Sequence, residues 1–251
     1  MKLNFEFEEG FLDKKHILVT GASKGIGREI ALGLSRFGAN VILHGRREDA
    51  LDEIYDEIIS QYKTDPIIIK CDLNLLDEDK SKEIAEVISK NIPCLDGIVN
   101  NAAILGKMSS LADFDLGTWQ KVLNTNLTSS FLLVKYLTPL MENSERPRII
   151  FTSSGVATKG KAFWGAYAIS KAAVKSLSEI LQEELEPLSK IKVFNFDPGA
   201  TRTSMRAYAY PAEDPSSLKG TSSLLNYYLW FFSRESENID SRYIKYNIPS
   251  S

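Results

Sequence analysis

His16-Ile17-Leu18-Val19-Thr20-Gly21-Ala22-Ser23-Lys24-Gly25-Ile26-Gly27 is the stretch from which the fold can be read. Its first five residues form a short apolar run with β-branched side chains, which predicts a buried strand. A glycine-rich turn follows. Ile26, Ile30, Leu34 and Phe37 then recur at helical spacing, and Gly38 closes the helix. Glycine at 21, 25 and 27 lets the backbone turn tightly and approach a pyrophosphate, to which a helix N-terminus offers free N–H groups and a positive dipole end. The spacing is GxxxGxG, and a glycine-rich turn with no ligand is the alternative reading of the motif by itself.

Downstream, strand-like and helix-like patterns keep alternating. Val41 to Leu43, Pro66 to Lys70, Leu95 to Val99, Arg148 to Ser153 and Lys192 to Phe196 read as strands, with a seventh over Tyr243 to Tyr246. Between them, Leu51, Ile54, Tyr55, Ile58, Ile59 and Tyr62 mark one amphipathic helix, and Ile84, Val87 and Ile88 another. Two longer helices are expected over 119–141 and 166–188, and a short apolar one over 224–232, which covers the sheet or adds to an interface. This alternation predicts an α/β fold: a single Rossmann-like doubly wound domain over 1–251, with a parallel sheet of about seven strands and helices on both faces. The 200–223 segment, with Pro211, Pro215 and Gly220, breaks the rhythm and is expected to be an irregular loop covering a substrate.

Composition narrows the function. A net charge of -3 leaves no electrostatic footprint for nucleic acid or an anionic membrane. Two histidines, His16 and His44, leave almost no material for a histidine metal site or a Ser-His-Asp triad, so no metal is expected. Cys71 and Cys94 have no metal-ligand or CxxC spacing and are expected to be free thiols. The 1–13 segment carries Glu6, Glu8 and Glu9 and lacks an apolar core, so it does not read as a secretory signal. The apolar 224–232 stretch is too short to span a bilayer. The expected location is the cytoplasm.

The end of the second strand bears on which dinucleotide the loop would take. An NAD site needs an acid there for the adenosine ribose 2′-hydroxyl. The sequence instead runs Leu43-His44-Gly45-Arg46-Arg47, with no carboxylate until Glu48, and Lys24 in the loop adds a second nearby cation. A 2′-phosphate would be attracted where an acid would repel it, so NADP(H) is expected over NAD(H). The alternative for Arg46 and Arg47 is a solvated helix start.

Tyr167 and Lys171 lie four residues apart at the start of a predicted helix and so share a face. An ammonium beside a phenol lowers its pKa from ~10 and makes it a usable acid and base. An amphipathic surface pair would give the same spacing. The set of motifs decides between the two. The chain resembles the short-chain dehydrogenase/reductase family, in its compact single-domain branch. The motifs run in order: Thr20 to Gly27, Cys71-Asp72-Leu73, Asn100-Asn101-Ala102-Ala103, Asn126, Ser153-Ser154, Tyr167 with Lys171, and Pro198-Gly199 followed by Thr203.

That resemblance implies an NADP(H)-dependent oxidoreductase moving a hydride between nicotinamide and a small-molecule carbonyl or secondary alcohol. A non-catalytic NADP(H)-binding or regulatory protein on the same fold is the alternative. The resemblance makes Tyr167 the acid/base and has Lys171 lower its pKa and hold the nicotinamide ribose. Ser154 would bind the substrate carbonyl, and Asn126 would anchor a water in a proton relay. It places Gly21, Ser23, Lys24, Gly25, Ile26, Gly27, Arg46, Leu73 and Ala102 along the nucleotide. Asp72 would meet the adenine, Asn100 the adenosine ribose, and Pro198, Gly199 and Thr203 the nicotinamide. It further implies a homodimer or homotetramer built through the two long helices.

Blander readings stand beside several of these. Asn126 could be bonded locally inside its helix, and Asp72 could cap a strand end. Ser153 competes with Ser154 for one role. Three positions depart from the family pattern: Ala103 for the usual glycine is expected to be tolerated, Phe194 for the usual asparagine to change local packing without loss of chemistry, and Ser241 for the usual glycine to loosen the C-terminal region. Asn195, one step along the strand, would face the other way. The segment from Thr201 to Pro215 resembles a bacterial subgroup without established substrates. Phe163 and Trp164 would offer it apolar surface, and Arg202 and Arg206 either meet an anion or stay solvated.

Overall fold

Each apolar run becomes a strand, and each strand sends alternate side chains to opposite faces. In the computed structural model these are β1 (His16–Thr20), β2 (Asn40–Gly45), β3 (Ile67–Lys70), β4 (Gly97–Asn100), β5 (Arg148–Thr152), β6 (Lys192–Asp197) and β7 (Tyr243–Lys245). All neighbouring pairs run parallel, in the order β3-β2-β1-β4-β5-β6-β7. The structure describes residues 6–237, 239 and 241–246; the start of the 1–13 segment, and with it part of the leader reading, lies outside them.

The strand period of two divides the core. Ile17, Val19, Val41, Leu43, Val99, Ile150 and Phe194 face one way, against α1 (Gly25–Arg36), α2 (Glu48–Gln61) and α8 (Leu225–Phe231). Leu18, Ile42, Ile98, Ile149, Phe151 and Val193 face the other, against α3 (Glu78–Asn91), α5 (Ser129–Leu137) and α6 (Gly165–Leu185). This is a Rossmann-like sheet with helices on both sides. The chain lays β2 and β3 to one side of β1, then returns to place β4 on the other. Ligands of such sheets bind beyond the carboxyl ends of the strands where the order reverses.

The 119–141 helix differs from the expectation at both ends and in the middle. Asp115 accepts a hydrogen bond from the Thr118 N–H at 2.7 Å, and this cap starts α4 (Leu116–Leu123) three residues early. A π turn over Asn124–Thr128 then widens the helix before α5, and a 3₁₀ turn, Thr138–Met141, ends it. The expected 166–188 helix ends earlier, at Leu185.

α8 covers the sheet: Tyr228, Trp230 and Phe231 are fully buried. Phe194 faces it, 4.9 Å from the Phe231 ring. Asn195 points to the other face, where its Nδ2 donates to Ser178 Oγ of α6 at 3.1 Å. An asparagine at 194 would have no place in that aromatic layer. Ser241 leaves β7 paired to β6 from Asn195–Tyr243 to Asp197–Lys245. Both cysteines are free.

Candidate active site

Thr20 closes β1 and holds the strand-end turns together. Its hydroxyl accepts from the N–H groups of Asn101 (2.9 Å) and Ala102 (3.0 Å), and its carbonyl accepts from Asn101 Nδ2 (3.0 Å). Gly21 (φ 68°) and Gly25 (φ 58°) then turn through the left-handed region that glycine adopts freely. Gly27 has a different reason: a Cβ there would lie 2.2 Å from the Gly21 carbonyl oxygen. Gly27 therefore packs beneath the loop and does not line the cleft, whereas Gly21, Ser23, Lys24, Gly25 and Ile26 do. Buried His44 supports the loop from β2. Its Nδ1 accepts from the Gly21 N–H at 3.4 Å, and burial pushes the imidazole down to about 4, so it is neutral.

The loop opens into a cleft of about 1030 Å³ that runs across the carboxyl ends of the strands. Lys24, Arg46, Arg47, Asp72 and Leu73 line its outer end. One oxygen of Asp72 accepts from the Asn74 N–H at 3.0 Å, so the capping role is real. The other lies 3.9 Å from the Arg46 guanidinium. Arg47 is turned onto Asp49 at 2.6 Å. Ala102 lines the cleft beside Gly21, while Asn100 does not: its side chain is buried at the end of β4, and Asn101 takes the lining position.

At the inner end, Ser154, Tyr167, Lys171, Pro198, Gly199 and Thr203 come together. Tyr167 is 6% exposed and Lys171 4%. Ser154 lies beside the Tyr167 hydroxyl and draws its pKa down. Lys171 Nζ donates to the Thr152 carbonyl at 2.6 Å and lies 5.8 Å from the Tyr167 ring centre. The expected lowering of the Tyr167 pKa by Lys171 is not the dominant effect. Burial raises the hydroxyl to about 12, with Ser154 pulling down and the Asp197 charge pushing up. Burial likewise lowers Lys171 to about 8, against the pull of Asp197. Desolvation outweighs the neighbouring charges at both groups.

Ser153 is buried and packed at the same turn, but Ser154 is the serine that meets Tyr167. Asn126 sits in the π turn, 2% exposed, and clamps backbone. Its Oδ1 accepts from the Ile104 N–H at 2.8 Å, and its Nδ2 donates to the Ile104 carbonyl (2.9 Å) and to Ser170 Oγ (3.0 Å). It thereby ties the strand-β4 loop to the helix carrying Tyr167, and it does not itself line the cleft.

The 200–223 segment is more ordered than its composition suggests. Thr203 Oγ1 accepts from the Arg206 N–H at 3.2 Å and caps α7 (Ser204–Ala209); a parallel bridge joins Thr201 to Lys219. Met205, Tyr208 and Tyr210 of this segment face the cleft, opposite Leu105, Val156 and Trp164. Arg206 forms a two-pronged pair with Glu213, both contacts 2.6 Å, and is not free for a ligand. Arg202 is exposed and outside the cleft lining, and so is Phe163. The sequence reading passed over Asp197, His44, Lys159 and Lys161 as cleft residues, and all four line it. Only Asp197 carried a signal, as a charge at the end of a strand just before Pro198-Gly199.

Fold and cleft define a class: α/β enzymes that place their chemistry at the switch point of a parallel sheet. The narrower assignment comes from comparison. The short chain dehydrogenase family matches residues 15–214. The chain belongs to that family, and is thereby an oxidoreductase. It is 37% identical over 234 residues to the uncharacterized oxidoreductase YciK of Escherichia coli K12, covering 93% of this chain and 92% of that one. A short chain dehydrogenase from Shigella flexneri 2a, complexed with NADP, superposes with a TM-score of 0.91 at 36% identity, covering 95% and 99% of the two chains. One from Escherichia coli CFT073, complexed with NADPH, gives 0.91, 36%, 95% and 98%. Among the described residues, no helix is long and apolar enough to cross a membrane.

Proposed function

We propose that the protein binds NADP(H) and reduces the carbonyl group of a small molecule, with Tyr167 as general acid. The observation that carries this reading is the meeting of Ser154, Tyr167 and Lys171 in one cleft with the glycine loop. Solved relatives complexed with NADP and NADPH support the cofactor. So do Lys24 and Arg46 at the outer end, where no acid stands at the tip of β2. The residues fit a dinucleotide: the left-handed turns at Gly21 and Gly25 bring the glycine loop to the cleft, and the α1 N-terminus follows directly, where a pyrophosphate would sit.

The nicotinamide, when bound, supplies the hydride that goes to the carbonyl carbon. Tyr167 gives its proton to the carbonyl oxygen, and Ser154 hydrogen-bonds that oxygen and aligns it. Lys171 holds the nicotinamide ribose and places positive charge near the phenolate as it forms. Asn126 fixes the Ile104 backbone and, through Ser170, the helix of Tyr167; it is a positioning residue. With Tyr167 held up at about 12 by burial, the hydroxyl keeps its proton at neutral pH. The protonated hydroxyl is the form that can give a proton to a carbonyl oxygen. The 200–223 segment covers the substrate through Tyr208 and Tyr210.

The test is paired. NADPH and NADH are titrated into wild type and Tyr167→Phe, and NADPH oxidation is followed with aldehydes and ketones. NADPH should bind more tightly than NADH to both proteins, while Tyr167→Phe loses about 10²- to 10⁴-fold in kcat. Equal turnover by Tyr167→Phe, or no nucleotide binding, would remove the reading.

A further inference from the structure

The cleft carries more positive charge than the proposed nucleotide contacts use. The whole chain carries a net charge of -3, yet the cleft is lined by seven lysines and arginines and only two carboxylates, Asp72 and Asp197. Lys24, Arg46 and Arg47 belong to the outer end. Lys171 donates to the Thr152 carbonyl, and Arg206 is neutralised by Glu213. Two cations are then unaccounted for, Lys159 and Lys161, and both lie between Ser154 and the helix of Tyr167.

Neither has an acidic partner among the described residues. Among the described residues Lys159 makes no hydrogen bond or ion pair. Lys161 Nζ donates to the Tyr210 hydroxyl at 2.6 Å and stands over the rings of Tyr210 (4.8 Å) and Trp164 (5.8 Å). An ammonium has three protons to donate, so this neutral contact leaves it capacity for an anion. The surface beside the two lysines is aromatic and apolar, its rings tilted by 46–52° to one another. The Trp164 ring lies 5.7 Å from that of Tyr167 and 5.8 Å from that of Tyr210, and Leu105, Val156 and Met205 complete the wall.

Resting on the carbonyl-reductase reading above, we propose that the substrate is an aromatic carbonyl compound carrying a carboxylate. The carbonyl sits at Ser154 and Tyr167, the ring lies along Trp164 and Tyr210, and the acid meets Lys159 and Lys161. Lys159 and Lys161 are both exposed beside this wall, and charge-assisted hydrogen bonds from them to an acid would add discrimination to the apolar contact.

Matched aldehydes test it: 4-carboxybenzaldehyde against 4-methylbenzaldehyde, with NADPH. Each is offered to wild type, Lys159→Ala, Lys161→Ala, Lys161→Arg and the double alanine variant. Wild type should prefer the carboxylated aldehyde by about tenfold or more in kcat/KM, chiefly through KM, and added salt should erode the preference. The ratio should fall toward unity in the double variant and return in Lys161→Arg, with NADPH affinity unchanged throughout. Equal use of the two aldehydes, or a preference that survives the double variant, overturns the proposal while leaving carbonyl reduction intact. Should neither aldehyde turn over, calorimetry on the NADP⁺-saturated protein compares 4-(hydroxymethyl)benzoate with 4-methylbenzyl alcohol. Absent or equal binding of the carboxylate there also overturns it. Loss of nucleotide binding, or an active Tyr167→Phe, instead marks failure of the carbonyl-reductase reading itself.

Discussion

Asp197 ends β6 with one carboxylate oxygen accepting from the Gly199 N–H at 2.9 Å. Its charge acts on Tyr167 and Lys171 together. Burial is the larger influence on both; Asp197 adds to it at the phenol and opposes it at the ammonium. Removing that charge should therefore lower both pKa values. Carbonyl reduction needs the proton on Tyr167 and the charge on Lys171, so Asp197→Asn is expected to move the alkaline limb of the kcat/KM profile to lower pH. An unmoved limb would show that the field of Asp197 does not reach the reacting groups. The types of the catalytic residues were legible in the sequence, since Tyr167, Lys171 and Ser154 sit at a diagnostic spacing. Their protonation states were not, because desolvation depends on what packs over them. Spacing likewise could not tell which of Asn100 and Asn101 faces the cleft; the strand end buries Asn100 and turns Asn101 to it.

At the scale of elements, hydrophobic period located every strand and nearly every helix. It missed what interrupts a helix. The π turn over Asn124–Thr128 leaves the apolar pattern almost undisturbed while rotating Asn126 onto Ile104. Nor could period say what would hold α8 against the sheet. Part of the answer is Arg148, 1% exposed at the start of β5, whose guanidinium donates to the Phe231 carbonyl (2.8 Å) and the Pro147 carbonyl (3.1 Å) and faces Glu237 at 3.4 Å. Burial lowers its pKa to about 10, leaving it charged at neutral pH. Arg148→Ala strips these acceptors of their donor and should cost about 3–5 kcal/mol in urea unfolding. A loss under 1 kcal/mol, a surface-residue effect, would mean water replaces the guanidinium without penalty.

For the molecule as a whole, the doubly wound order was readable because each strand alternates around a helix and the apolar runs are continuous. The 200–223 segment was the least readable stretch, since its caps and bridge join residues whose composition alone suggests loop. Global stability should also carry the signature of His44. Its folded pKa of about 4 lies below the unfolded value of ~6.5, so the unfolded chain binds the proton first. Stability is then fully present above ~6.5 and declines as pH falls toward 4, by up to roughly 3 kcal/mol. His44→Asn, which keeps an acceptor for the Gly21 N–H, should flatten that part of the pH dependence of Tm. A parallel dependence in both proteins would assign the loss to other groups.

β7 joins the sheet next to the cleft: the Tyr246 N–H donates to the Asp197 carbonyl at 2.9 Å, on the residue whose side chain faces the catalytic pair. The last strand of the sheet thus has a mechanical line to the chemistry. A bulky fusion or a proteolytic nick beyond β6 would tug on Asp197 before it loosened either hydrophobic layer. Such damage would register as altered pH behaviour in an enzyme that still melts normally.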